Sequence, residues 1–318
     1  MPTFPKPTFA YTYNVQTEIN ALRQHKAARG IPAKQADRFL IATWNIANFG
    51  AQQRRDSDHA LIAEVLSWFD LVAVQEVRDN YGGLEDVRRK IGGSYAILMS
   101  DVAGNSERMT FLYDASKVKP LELVAEIAIP PTQHKAIKLP GITRAFQPFD
   151  RNPYLAAFEV GHLSFTMVTV HLFYGSEKQA DIERRALETF AVARWAALEE
   201  TSPFCYTRDI IVLGDFNRPK ADPTDPIYKA LTKKGLHVPQ HSGQIASAIA
   251  SDSNYDQMAF FPGATAADFT NNHGVFDFDQ VIFATLYQAR PMKDFLAYCR
   301  YYLSDHRPMW MEFKTTQV

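Results

Sequence analysis

The sequence predicts an α/β fold built on mixed β-structure, and three stretches carry that reading. The first is Asp209 to Pro219, D-I-I-V-L-G-D-F-N-R-P. Ile210 to Leu213 are too few for a helix and too uniformly apolar for a half-exposed strand, so they fit a strand buried on both faces and ended by Gly214. The second stretch runs from Phe39 to Glu76, where an apolar strand, an amphipathic helix and a second apolar strand follow one another. The third is Tyr154 to Val160 and Leu163 to Val170, joined across Gly161-His162 as a hairpin, which brings antiparallel pairing into the sheet.

In chain order, residues 1–38 read as an extension. Asn14 caps a helix that places Val15, Ile19 and Leu22 on one face, and Gly30 with Pro32 stops it. Phe39 to Trp44 is the first core strand. Asp58 begins a helix with Leu61, Ile62, Val65 and Leu66 on one face, and Leu71 to Val74 returns as a buried strand running into Glu76. A short helix through Leu84, Val87 and Ile91 precedes the strand-like S-Y-A-I-L-M-S and M-T-F-L-Y. Between Pro131 and Asp150 lies a loop with His134, Lys135, Lys138 and Arg144, the notable basic segment of the chain. A long helix follows the hairpin, with Ile182, Ala186, Phe190, Ala193 and Ala197 on its buried face. Beyond the Asp209 strand, Asp225 caps a helix that has Pro226 at its first position and Gly235 at its end, and 243–253 is small and polar, hence loop. There is no repeat or linker, so 39–318 reads as a single domain.

Composition excludes several classes. Lys plus Arg number 34 against 35 Asp plus Glu, so the net charge is -1 and any polyanion must be drawn by a local patch. Cys205 and Cys299 are the only cysteines, too few for a disulfide framework or a cysteine zinc site. The opening M-P-T-F-P-K-P-T-F-A-Y-T-Y lacks a continuous apolar core, and no stretch reaches the roughly 18 apolar residues of a membrane span. These features read as a cytoplasmic protein.

The pattern that points to chemistry is an apolar run abutting one polar group, repeated along the chain. F-L-I-A-T-W runs into Asn45, L-V-A-V into Glu76, F-T-M-V-T-V into His171, and I-I-V-L-G into Asp215 with Asn217 two residues on. Asp256 precedes Q-M-A-F-F, and Asp305-His306 precedes M-W-M-E-F. Because the ends of some strands and the starts of antiparallel neighbours share one sheet edge, these groups can converge. Carboxylates and carboxamides without cysteine suit a hard ion such as magnesium or manganese. Two histidines, each wanting a carboxylate to hold its ring, suit acid and base roles, and Asp256 is a candidate partner. With no serine or cysteine in a nucleophile elbow, direct attack by water on a phosphate ester is the natural reaction.

These motifs, in this order, resemble the endonuclease/exonuclease/phosphatase superfamily, the metal-dependent fold that includes deoxyribonuclease I. I-A-T-W-N-I-A-N-F-G, V-Q-E-V-R-D, R-N-P, T-V-H, G-D-F-N and S-D-H-R-P match the family's successive motifs across residues 39–314. The wording is closest to deoxyribonuclease I, including Y-D-Q-M-A-F. The resemblance implies a four-layered sandwich, two mixed sheets face to face with helices outside. It implies that Glu76 binds the metal with Asn45 and Asp305 nearby, and that Asp215 and Asn217 orient water and phosphate. His306 would then be the general base and His171 the phosphate ligand or acid. Asp256 would orient a histidine, with Asp279 in F-D-F-D-Q-V-I-F as its rival, and Arg151 would hold a phosphate oxygen. Two positions depart from deoxyribonuclease I. Ala47 stands where it has an arginine, and Met109 where it has a tyrosine, with Tyr113 as a displaced substitute; of its duplex-contact group only Arg78 remains. The expected activity is a magnesium-dependent nuclease acting on DNA before RNA, with Arg54, Arg55 and the 135–151 loop as phosphate contacts. A phosphatase acting on a small or lipid-borne ester is the alternative. A non-catalytic binding module would require a decayed motif set, and this one is complete.

Overall fold

A computed structural model describes residues 3–217, 224–239, 245–262 and 264–316. Arg218 and Pro219 of the Asp209 stretch, and Gly243 at the start of the expected 243–253 loop, lie outside the described residues. In chain order the elements are α1 (Val15–Ala28), β1 (Arg38–Phe49), α2 (Asp56–Leu66), β2 (Leu71–Arg78), α3 (Gly82–Ile91), β3 (Tyr95–Met99), β4 (Glu107–Asp114) and β5 (Lys119–Glu126). There follow α4 (Pro131–His134), β6 (Tyr154–Val160), β7 (Leu163–His171), α5 (Gln179–Thr201), β8 (Asp209–Asp215), α6 (Pro226–Thr232) and β9 (Asp256–Phe260). The chain closes with α7 (Ala264–Asp268), β10 (Phe269–Val275), α8 (Ala284–Ala289), α9 (Met292–Tyr302) and β11 (Met309–Lys314).

The strands form a six-stranded sheet, β10-β11-β1-β2-β4-β3, and a five-stranded sheet, β5-β6-β7-β8-β9. Among the described residues, β1 with β2 and β7 with β8 are parallel and the other pairs are antiparallel. Alternation along each strand builds the layers. On β1, Phe39 and Ile41 enter the core between the sheets, whereas Leu40, Ala42 and Trp44 enter the core under α1, α2 and α9. On β8, Ile211 and Leu213 face the inter-sheet core while Ile210 and Val212 pack on the α5 side. The result is helix, sheet, sheet, helix: the expected four-layered α/β sandwich.

The extension behaves as part of the outer layer. Asn14 Oδ1 accepts from Thr17 N at 3.1 Å, Leu22 is buried, and Asp277 holds both Arg29 and His25. Gly214 does not end its strand. It lies within the ladder at φ 127, where an added Cβ would stand 2.2 Å from Val170 O, so the residue is glycine because β7 passes too close for anything else. The basic loop is pinned to α5 by Ile137 and Phe146, leaving Lys135 and Lys138 exposed. No helix among the described residues is long and apolar enough to cross a membrane.

Candidate active site at the shared edge of the two sheets

Three site residues follow directly from alternation. Thr43, Gln75 and Thr169 are joined across the sheets by Gln75 Nε2, at 3.0 Å to Thr43 Oγ1 and 2.8 Å to Thr169 Oγ1. One alternation step beyond Thr43 stands Asn45, beyond Thr169 stands His171, and beyond Leu213 stands Asp215, so each closes a row on the inter-sheet face. Glu76 is different. Strict alternation would send it to the helix side with Val72 and Val74. A register shift between Val74 and Val77, with Glu76 at φ 62, turns it instead to Asn45. β1 bulges at the same level, with Asn48 at φ 48. Glu76 Oε1 accepts from Asn45 Nδ2 at 3.0 Å and Oε2 from Asn48 N at 2.8 Å. Backbone strain is thus concentrated where the ion-holding groups were expected.

The same Asn45 Nδ2 also donates to Asp215 Oδ2 at 3.0 Å, tying the two sheets together. Asp215 Oδ2 lies 3.6 Å from His171 Nε2 and 3.8 Å from His306 Nε2. His306 Nδ1 is 2.8 Å from Asp256 Oδ2. Asp279 instead makes a bidentate pair with the next residue, Arg307, at 2.7 Å on each arm, so Asp256 is the histidine partner in this geometry. Burial works against charge on His306, but Asp256 and Asp215 outweigh it and hold its pKa well above the ordinary imidazole range. Burial likewise opposes Asp215, yet His306 and His171 keep its carboxyl below the usual range. Burial raises Asp256 and carries Asp305 up to about 6, where the charge of Glu76 adds to the rise.

His171 has a carboxylate partner that the sequence reading missed. Glu107, at the start of β4, places Oε2 2.9 Å from His171 Nδ1. Burial opposes its charge, but His171 and then Arg151 pull its pKa down. The available signal was its position: Glu107 opens an antiparallel strand at the edge where β2 ends, opposite Arg78.

Several expected substrate contacts are redirected. Arg151 is buried and donates to the carbonyls of His171 and Leu172, each at 2.7 Å, so in this arrangement it positions the histidine loop rather than offering its fork to a phosphate. Tyr113 stands opposite Leu71, at the far end of β2 from Glu76, and packs on Phe158 in the inter-sheet core; it is not at the site. Arg54 and Arg55 are tied into the fold, Arg54 to backbone carbonyls and Arg55 to Asp58, Tyr11 and Tyr298. Arg78 does lie at the edge, half-buried, with Nη1 3.4 Å from Glu107 Oε1. Asn217, at φ 50, spends one amide donor on Leu172 O at 2.8 Å, and its backbone N–H donates to Asp215 Oδ1 at 2.7 Å. Phe216 between them is buried on the α5 side, as alternation requires.

Among the described residues, one cluster of carboxylates and histidine lies close enough to hold a cation. Asp215, Asp256 and His306 offer ligand atoms within 4.8 Å of one another. In that trio, however, Asp256 and His306 are already engaged with each other. The oxygen set expected from the sequence, Asn45, Glu76 and Asp305, has the donor chemistry that a hard ion prefers. Asn45 Oδ1 is buried without a hydrogen-bond partner among the described residues, and Asp305 is a half-buried carboxylate pushed toward neutrality that a nearby cation would relieve.

Two mixed sheets with helices outside is also the fold of solved endonuclease/exonuclease/phosphatase family proteins to which this chain is similar. A protein of that family from Bacteroides thetaiotaomicron superposes with a TM-score of 0.54 at 15% identity, covering 88% of this chain and 98% of its own. D. rerio TDP2, in complex with a single-strand DNA product, gives a TM-score of 0.55 at 16% identity over 87% of this chain and 98% of its own. In sequence, a protein named Deoxyribonuclease from Thioalkalivibrio sp. (strain K90mix) is 28% identical over 201 residues, 59% of this chain. The matched stretch spans 49%, about half, of that relative's length. No protein-family model matches the sequence.

Proposed function

We propose that the protein is a divalent-metal-dependent phosphodiester hydrolase, an endonuclease acting on DNA, in which water attacks phosphorus directly. The observation that carries this reading is the convergence of two histidine Nε2 atoms on one Asp215 oxygen, at 3.6 and 3.8 Å. Asp256 is hydrogen-bonded to His306 Nδ1, which fixes that ring's tautomer and orientation, and the Glu107 carboxylate lies 2.9 Å from His171 Nδ1. His306, held by Asp256, takes the proton of the attacking water. The proton already on that ring must leave first, and a dication held by Glu76 and Asp305 would favour its loss. His171, held by Glu107, presents Nε2 to a phosphoryl oxygen or to the leaving oxygen. Asp215 orients the water between the rings, and the second amide hydrogen of Asn217, which meets no acceptor among the described residues, would serve a developing oxyanion. Asn45, Glu76 and Asp305 would hold magnesium, or manganese, whose charge would stabilise the phosphoryl oxygens when bound. The relative named Deoxyribonuclease supports a DNA substrate. With a net charge of -1, phosphate attraction rests on local cations such as Arg78, Lys135 and Lys138.

One observation favours a second reading, hydrolysis of single-stranded or small phosphate esters. Ala47 and Met109 stand where the resemblance has duplex-contact side chains, and both are buried. A panel of duplex DNA, single-stranded DNA and a small phosphate monoester, each with magnesium, decides between them. Cleavage of duplex supports the first reading, and phosphate release from the monoester alone overturns it.

A further inference from the structure

Arg54 belongs to no element, yet its guanidinium joins the two segments that carry the proposed ion-holding groups. Nη2 donates to Ala47 O at 2.6 Å and to Leu303 O at 2.8 Å, and Nε donates to Tyr302 O at 3.2 Å. Ala47 lies two residues beyond Asn45 on β1. Leu303 follows the last residue of α9 and lies two residues before Asp305. The carbonyls of Tyr302 and Leu303 belong to a helix end whose last C=O groups lack helical partners and carry the negative pole of the helix dipole. A planar cation that donates to both segments fixes their separation and offsets negative charge at the same point. Ser304 Oγ bridges the same seam, donating to Asn45 O at 2.6 Å and accepting from Ala47 N at 3.3 Å. Glu76 and Asp305 are near enough to favour the charge on Arg54, although burial takes its pKa down to about 10. Its Nη1 is buried with no hydrogen-bond partner among the described residues. An ordinary helix-capping arginine is exposed enough for water to complete its fork; this one is not.

We infer that Arg54 is a positioning residue for the divalent-ion site, setting the spacing between the Asn45 and Glu76 side of the site and Asp305. The inference rests on the reading of Asn45, Glu76 and Asp305 as the groups that hold the ion. Lysine keeps the charge but cannot donate in a plane to carbonyls of two segments, so Arg54→Lys separates charge from geometry.

The test is Mn2+ binding to the substrate-free protein, followed by electron paramagnetic resonance, with thermal unfolding measured with and without the ion. Arg54→Lys is compared with Arg54→Gln and with Asp277→Asn, which weakens the contacts that hold His25 and Arg29 at the end of α1 and touches none of Asn45, Glu76 or Asp305. Loss of an outer support of this kind typically weakens metal affinity by about 10- to 100-fold. Arg54→Lys and Arg54→Gln are expected to lose at least about tenfold in Mn2+ affinity, and most of the ion-induced rise in Tm, whereas Asp277→Asn loses Tm but keeps its affinity. If whichever Arg54 variants fold bind Mn2+ as wild type does, the residue is only a helix cap and the inference is overturned. If wild type itself binds no Mn2+, the reading of the ion site fails instead, a distinguishable result.

Discussion

Asp256 Oδ2 lies 2.8 Å from Nδ1 of His306, a residue 50 positions away on the approach to another strand of the other sheet. The two face each other because β9 begins, and the turn before β11 ends, on the edge where β1, β2, β7 and β8 finish. Asp256→Asn removes the charge that orients and sustains the imidazolium. It is expected to lower kcat on a phosphodiester by about 10²- to 10⁴-fold with little change in KM. Asp279→Asn, which weakens the Arg307 pair and the contact from Gln280 Nε2, should cost less than about threefold. Steady-state kinetics of the two variants checks this; equal losses would transfer the role away from Asp256.

Asn45 donates to Glu76 and Asp215 from one nitrogen. Asn45→Asp replaces a shared donor by a third buried charge. The expected loss of stability without metal is about 3 kcal/mol, in the range for an uncompensated buried charge. Added magnesium should restore part of it. Urea unfolding with and without magnesium measures both effects.

Glu188 on α5 is buried, with Oε2 accepting from Phe173 N at 2.8 Å, and burial raises its carboxyl to about 7. The folded state therefore favours the protonated form. Its stabilising contribution is complete below the unfolded value of about 4.5 and is lost as pH rises through about 7, a change on the order of 3 kcal/mol. Glu188→Gln should flatten this part of the stability profile, as followed by urea midpoints between those pH values. An unchanged slope would contradict the assignment.

Gly214→Ala would put a Cβ 2.2 Å from Val170 O at a φ of 127. Strain and overpacking together should cost at least about 3 kcal/mol. A variant with wild-type Tm would show that β7 and β8 can separate there without cost.

The architecture was largely legible because the strands are apolar on both faces and the polar groups interrupt them. Asn45, His171 and Asp215 could be read as row ends by counting in twos from Phe39, Phe165 and Ile211. Glu76 could be named but its direction could not, since a bulge with a positive φ breaks the count. Glu107 was missed because nothing apolar precedes it; its importance comes from facing His171 across the two sheets. β5 was missed because K-P-L-E-L-V-A-E is a polar edge strand with a proline. The apolar Val281 to Phe283, the run that made Asp279 a rival to Asp256, turns through Phe283 at φ 54 into α8. Arg54, Arg55 and Arg151 were expected to contact phosphate. Carbonyls freed at helix and strand ends claim Arg54 and Arg151, and Asp58 with neighbouring tyrosines claims Arg55, none of which composition can show.

The most direct test is nicking of supercoiled plasmid by the purified protein with magnesium, beside a chelator control and a His306→Ala variant. The account predicts nicking that is abolished by the chelator and reduced by at least about 10²-fold in the variant. Nicking that survives either control would contradict a metal-assisted reaction centred on His306 and Asp215.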